Sequence, residues 1–289
     1  MALEAALAYA QRHTLHALVV AREHAVVYER YGDGYDRERA HALYSGTKSF
    51  WGVTALAAQQ DGILDLDERA AQTLTEWRDQ ERKREVTIRQ LLQLSAGFGF
   101  GGLGNAVPTY DIALHTPLRD APGTHFTYGG IPLQVFGALL TRKLASRGLT
   151  PHAYLQQRLL TPLGITVGDW RTLKDGTHPL PTGAQLSAAA WLRYGRFLAG
   201  YGCLEDRRLD ERLMRLCWEP SAANPRYGLA FWLDPTGRIP GLLYASGAGG
   251  QALYVIPSVS LVVVHFGKST SFRHETFLRH LLPLAPSEV

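Results

Sequence analysis

Two groups of β-forming runs stand at opposite ends of this chain, with a long helical stretch between them. Near the start, Leu18-Val19-Val20-Ala21 and Ala25-Val26-Val27-Tyr28-Glu29-Arg30-Tyr31 are joined only by Arg22-Glu23-His24 and read as a hairpin. Near the end, residues 229–233, 252–256 and 261–266 have the length and branching of sheet strands. Strands drawn from both termini predict one antiparallel sheet assembled from the two ends, an α/β (α+β) fold with flanking helices. Residues 1–66 and 181–289 would form this sheet domain, and residues 67–180 a mostly helical insert lying against it. The functional cleft is expected between the two layers, where clefts usually form.

The helices announce themselves by their ends. Residues 49–60 are rich in Ala and Leu, and Gly62 fits the position just past a helix C-terminus. Thr87-Ile88-Arg89-Gln90 has the form of a capping box ahead of Leu91, Leu92 and Leu94, and that helix is expected to end near Gly97. Residues 97–104 hold five glycines and read as an exposed loop. Residues 131–144 form a strongly apolar helix. Thr150-Pro151 places an N-cap before a proline at the first helical position, opening a helix to Leu160. Ser187 caps another running to Leu198, and residues 272–282 make a closing helix.

Composition is that of a globular protein, 46% hydrophobic and 19% charged, which argues against disorder. The net charge of +4 is spread along the chain. Its densest basic run, Glu81-Arg82-Lys83-Arg84-Glu85, is broken by acids, so no nucleic-acid surface is expected. Residues 1–13 are apolar, but Glu4 stands where a secretion signal carries basic residues and no small-residue cleavage site follows. They read as a helix. No run approaches membrane-spanning length. Cys203 and Cys217 could pair formally, but two reduced thiols is the reading taken, and a cytoplasmic location is expected. The eleven histidines show no His-x-x-x-His spacing, no Cys-x-x-Cys is present, and residues 97–104 lack the Gly-Lys-Ser of a phosphate loop. No metal, nucleotide or organic cofactor is expected.

The chemistry is carried by Ser45-Gly46-Thr47-Lys48, at the entry to the first long helix. One helical turn sets positions i and i+3 on the same face. A serine hydroxyl is a poor nucleophile without a base in hydrogen-bond reach, and Lys48 is the nearby candidate. Taken alone the pair is weak, since a capping serine and a solvated lysine share this spacing.

Context changes the weighing. Tyr44-Ser45-Gly46-Thr47-Lys48-Ser49-Phe50 is followed by Ile88-Arg89-Gln90-Leu91-Leu92-Gln93-Leu94-Ser95-Ala96-Gly97, then by Ala121-Pro122-Gly123-Thr124-His125-Phe126-Thr127-Tyr128, then by Gly247-Ala248-Gly249-Gly250-Gln251. In this order and spacing, over nearly its whole length, the chain resembles the serine β-lactamase-like hydrolases. It is most similar to the branch holding class C β-lactamases, D-alanyl-D-alanine carboxypeptidases, esterases and 6-aminohexanoate-dimer hydrolases. The resemblance implies the β-lactamase/transpeptidase-like fold and an acyl-enzyme mechanism. Ser45 would be the nucleophile, Lys48 its base and Tyr128 the phenol that exchanges protons. The backbone N–H groups of Ser45 and Ala248 would form the oxyanion hole.

Two motifs depart from the family. Its Tyr-x-Asn is Tyr128-Gly129-Gly130 here, so Gly130 stands where an amide would contact substrate or lysine. Its Lys-Thr-Gly matches Ala245-Ser246-Gly247 best, which replaces the cation by Ala245 and keeps a hydroxyl at Ser246 and close backbone approach at Gly247. Lys268-Ser269-Thr270 looks superficially like that motif but follows the last strand, and reads as a surface turn. His125 reads as structural. Trp170, Trp218 and Trp232 read as packing residues, with pocket lining as the alternative. The implied partner is a small ester, amide or short peptide-like substrate. Two alternatives stay open: β-lactamase or D-alanyl peptidase activity, and a catalytically idle relative that binds a ligand. The sequence does not set the oligomeric state.

Overall fold

A computed structural model describes residues 2–23 and 25–281. Its centre is a six-stranded antiparallel sheet ordered Ala25–Tyr31, Leu15–Arg22, Leu261–Gly267, Gln251–Ile256, Leu243–Gly247, Trp232–Leu233. The first strand of the chain thus lies beside the last, in a register that sets Val19 opposite Val264 and Val20 opposite Val263. The hairpin Leu15–Arg22/Ala25–Tyr31 forms as expected, although His24, in its connection, lies outside the described residues.

Both faces of the sheet are covered, which is why Leu261–Gly267 is buried at every position rather than alternating. On one face Leu18, Val20, Tyr254 and Val263 pack with Phe277 and Leu278 of the closing helix His274–Leu281, and with Ala6 and Tyr9 of the N-terminal helix Ala2–Arg12. On the other face Val19, Ala245, Leu253 and Val264 pack with Trp191 and Leu192 of helix Ala188–Ala199 and with the helical bulk of the chain. The strand Ala25–Tyr31 is the partly exposed edge, and its Glu29 and Arg30 discourage pairing with another chain.

Helix Ser49–Gln60 runs through the larger core with residues 49–58 all buried. It stops where Gly62 adopts φ +66° and Ile63 N–H reaches back to the Ala58 carbonyl at 2.8 Å. Helix Ile131–Leu144 is equally central, with ten buried residues. Ser187 and Thr150 cap their helices through side-chain oxygens, and the Thr87/Gln90 capping box is complete.

Four expectations are corrected. Residues 229–233 contribute only Trp232–Leu233 as a strand; Ala230 sits at φ +60° and its N–H bonds the Leu92 carbonyl, so this apolar run is a buried turn. The capping-box helix spans only Ile88–Leu92, because Leu94 takes a left-handed conformation at φ +54°. The helix opened by Thr150 is α-helical over Pro151–Leu155 and widens to a π-turn over Gln156–Leu160. The closing helix starts at His274, and Leu282 lies outside the described residues.

Candidate active site

Ser45 and Lys48 lie on a single 3₁₀ turn, Tyr44–Lys48, that leads directly into helix Ser49–Gln60. In a 3₁₀ turn positions i and i+3 eclipse, which aligns the two side chains more closely than an α-turn would. Tyr44, just before Ser45, is a non-glycine residue at φ +48°. Such backbone strain persists only where the surroundings enforce it. They do so here: Leu43 N–H bonds the Ala184 carbonyl at 2.9 Å, and Gly247 abuts the Leu43 carbonyl so closely that a Cβ there would overlap it.

The Lys48 ammonium nitrogen lies 3.0 Å from Ser45 Oγ and 3.1 Å from the Pro181 carbonyl oxygen. Its side chain is 2% exposed. Desolvation lowers its pKa to about 7, and no carboxylate offsets that loss. Half of this amine is therefore neutral near pH 7, with a lone pair able to take a hydroxyl proton. The Pro181 carbonyl is itself held in place. Trp51 Nε1 donates to Leu180 O at 2.6 Å, Leu180 N–H donates to Gln134 Oε1 at 2.8 Å, and Ala184 N–H donates to Thr47 Oγ1 at 3.3 Å.

Tyr128 closes the other side. Lys48 Nζ is 4.8 Å from its ring centroid, and the ring stacks on Trp232 at 5.5 Å. Burial raises the phenol pKa, while a hydrogen bond with the Ser45 hydroxyl pulls it down. The phenol keeps its proton at neutral pH and can donate it.

These residues open on a cleft of 460 Å³ lined by Tyr44, Ser45, Leu103, Gly104, Tyr128 and Thr182. Its lining also includes Trp232, Tyr244, Ser246, Gly247, Ala248 and His274. Ser246 and Gly247 lie on strand Leu243–Gly247, and Ala248 stands just beyond its last ladder pair, Gly247–Gln251. Gln251 fixes that corner: its Nε2 donates to the carbonyls of Ala248 (2.9 Å) and Gly267 (2.7 Å), and its Oε1 accepts from Gly267 N–H (3.1 Å). Ser45 N–H, in the first turn of a helix, has no intrahelical acceptor.

Two of the singled-out residues lie elsewhere. Ala245 points to the sheet face opposite Ser246 and is buried in the larger core, outside the cleft lining. Gly130 is buried at the start of helix Ile131–Leu144, and a Cβ there would overlap the Gly102 carbonyl oxygen. No side chain, and hence no asparagine, fits at that position on this backbone. Lys268 is exposed beyond the last strand and His125 is exposed beside Thr124. Of the three tryptophans, Trp232 lines the cleft, whereas Trp170 and Trp218 bond the Pro179 and Gly241 carbonyls.

Sequence reasoning missed Thr182, Tyr244, His274 and the supporting Gln134 and Gln251. Only the glutamines carried a signal: an amide inside an otherwise apolar helix or strand must be satisfied by something specific.

A serine paired with a buried lysine beside a tyrosine, at the mouth of a cleft, is an arrangement that can support serine acyl-transfer chemistry. The family comparison agrees: the Beta-lactamase family profile matches residues 3–280, and the chain belongs to that family. Its fold is shared with a Bacillus anthracis protein provisionally assigned as a 6-aminohexanoate-dimer hydrolase. That likeness has a TM-score of 0.81 at 18% identity, over 95% of this chain and 79% of that one. A family VIII carboxylesterase superposes with a TM-score of 0.78 at 16% identity, over 98% and 96%. Monacolin J acid methylbutanoyltransferase of Aspergillus terreus is 28% identical over 153 residues. That match spans 43% of this chain and only 36% of the transferase. Among the described residues, no helix is long and apolar enough to cross a membrane.

Proposed function

We propose that the protein hydrolyses small neutral esters or amides through a Ser45 acyl-enzyme. The observation that carries this reading is the buried amine of Lys48, 3.0 Å from Ser45 Oγ and with a pKa lowered to about 7. A general base works best with its pKa near the operating pH.

Lys48 takes the Ser45 proton as Oγ attacks the substrate carbonyl carbon. The developing oxyanion is held by the N–H groups of Ser45 and Ala248, each such donor typically supplying about 3 kcal/mol. Tyr128 gives its proton to the alkoxide or amine as that group leaves, then takes one from the water that attacks the acyl-enzyme, while Lys48 returns its proton to Ser45 Oγ as the acyl–oxygen bond breaks. The substrate's apolar part rests against Trp232 and Tyr244. No carboxylate or guanidinium lines this cleft among the described residues, which supports a neutral substrate.

The test is a fluorophosphonate probe followed by peptide mass spectrometry, together with turnover of p-nitrophenyl acetate and butyrate. The adduct is expected on the peptide containing Ser45, and Ser45→Ala should abolish both labelling and turnover. A folded protein that neither labels nor turns over these esters would instead be an idle ligand-binding relative.

The match to a methylbutanoyltransferase supports a second reading, in which an alcohol competes with water for the acyl group. Ester product formed from p-nitrophenyl butyrate in the presence of butanol would distinguish transfer from hydrolysis.

A further inference from the structure

A second hydrogen-bonded chain leads from the cleft into the protein on the side opposite Lys48. His274 Nε2 lies 2.8 Å from Ser246 Oγ, and its Nδ1 lies 2.7 Å from the hydroxyl of Tyr254. His274 comes from the closing helix, and Tyr254 from the strand Gln251–Ile256 next to that of Ser246. Ser246 and His274 both line the cleft, whereas Tyr254 is 1% exposed and does not.

The direction of each hydrogen bond follows from what is buried. Among the described residues the Tyr254 hydroxyl has no partner besides His274. Burial keeps its phenol protonated, since its pKa stands well above the ordinary value. A buried O–H must find an acceptor, and Nδ1 of His274 is the one in reach. Nδ1 is then the unprotonated nitrogen. His274 is neutral at ordinary pH, its pKa lowered to about 4 by burial, so its single ring proton sits on Nε2. Nε2–H donates to Ser246 Oγ, and the hydrogen of Ser246 cannot point at His274. It turns toward the cleft.

We propose that Tyr254 and His274 are positioning residues that fix Ser246 as a hydrogen-bond donor toward bound substrate, so that the cleft selects substrates presenting a neutral acceptor oxygen, a carbonyl or ether, at that wall. The inference rests on the hydrolase reading for its effect on turnover. The assignment of donors and acceptors stands apart from it. Without Tyr254 the imidazole is free to hold its proton on Nδ1, accept from Ser246 O–H through Nε2, and remove the donor from the cleft. Tyr254→Phe keeps the ring and its packing, so it tests the hydroxyl alone.

The experiment uses the full chain labelled with [15N]histidine. The His274 signals are identified by their loss in His274→Gln, and the tautomer is read from the two ring nitrogens. Wild type should show the Nε2–H form alone, and Tyr254→Phe a measurable share of the Nδ1–H form. In kinetics with p-nitrophenyl methoxyacetate, Tyr254→Phe should raise KM by up to about tenfold, the scale of one hydrogen bond, with kcat changed much less. In a Ser246→Ala background the same change should cost nothing further. His274→Gln, whose amide N–H can take the place of Nε2–H, should retain most of the affinity. An Nδ1–H tautomer in the wild type overturns the proposal, as does a Tyr254→Phe penalty that persists undiminished without the Ser246 hydroxyl. If the wild type neither turns over esters nor labels at Ser45, the hydrolase reading fails, and the tautomer measurement still decides the orientation of Ser246.

Discussion

Gly247 packs against the carbonyl oxygen of Leu43 so closely that a methyl group in its place would overlap that oxygen. The contact joins the strand that carries Ser246 and leads into Ala248 to the residues entering the Ser45 turn. Both partners are backbone, so neither can yield by changing a rotamer. Gly247→Ala should push the strand away from Ser45 and spoil the spacing of the two proposed oxyanion donors. A displacement of about 1 Å can cost on the order of 10²-fold in rate. Overpacking should also destabilise the fold by about 1–3 kcal/mol. Ester kinetics and thermal unfolding of Gly247→Ala check this; full activity in that variant would show that the two segments are free to separate.

Lys48 sets the pH dependence. With its pKa at about 7, the neutral amine disappears as pH falls. The kcat/KM for a neutral ester should therefore rise through pH 7, level off above it, and drop about tenfold per unit well below it. The same shift bears on stability, with the sign fixed by linkage. Lys48 is charged in the unfolded chain up to its ordinary value of 10.5 but sheds its proton in the fold near 7. Between those values the unfolded state holds more protons, so stability rises with pH. Lys48→Met should be more stable than wild type at pH 6, and the gap should narrow steadily from pH 7 toward pH 9.5. Denaturant midpoints of both proteins across that range check it. A constant gap would place an unseen partner against the ammonium.

Lys48→Ala and Tyr128→Phe should each lower kcat/KM by about 10²–10⁴-fold, the usual range for proton-transfer groups. Lys48 Nζ and the Tyr128 ring are 4.8 Å apart, and both interact with Ser45 Oγ, so they share one proton path. The double variant should lose far less than the product of the two single losses. Multiplying losses would mean that the two residues act in separate steps.

The fold was legible where hydrophobic pattern and caps decide it. Both terminal strands, helices Ser49–Gln60 and Ile131–Leu144, and the capping box at Thr87 follow from periodicity and end signals. The failures have physical causes. Residues 229–233 are apolar because Leu229 and Phe231 are core residues of a turn, and burial alone does not tell a turn from a strand. Strand Leu243–Gly247 contains no β-branched residue, and its pairing with Gln251–Ile256 on one side and Trp232–Leu233 on the other holds it in the sheet. At the candidate site, Ser45, Lys48 and Tyr128 could be singled out because their order and spacing match the pattern of the family. His274 could not: it reaches Ser246 from 28 positions further along the chain, a contact that only the closing helix creates.

Neutral esters should be better substrates than β-lactams or D-alanyl peptides. The sequence placed the reason at Ala245, as a lost cation, but Ala245 faces the core. The reason lies in the cleft as a whole. Its lining holds no arginine and no lysine among the described residues, and Lys48 beneath it already contacts Ser45 and the Pro181 carbonyl. Arg171, beside the lining residue Gly104, bonds the Gly104 carbonyl and Asn105 Oδ1. Arg273, adjacent to His274, bonds the Thr270 and Phe272 carbonyls. A substrate carboxylate entering the cleft would lose water and meet only neutral donors such as Ser246, forgoing a charge-assisted bond of about 1.5–3 kcal/mol. That difference corresponds to roughly 10–100-fold in kcat/KM against nitrocefin relative to a neutral ester of similar reactivity. Side-by-side kcat/KM values for nitrocefin and p-nitrophenyl butyrate test this. Nitrocefin turnover equal to the ester would mean that an arginine swings in to meet the carboxylate. Arg171→Ala and Arg273→Ala would then show which one.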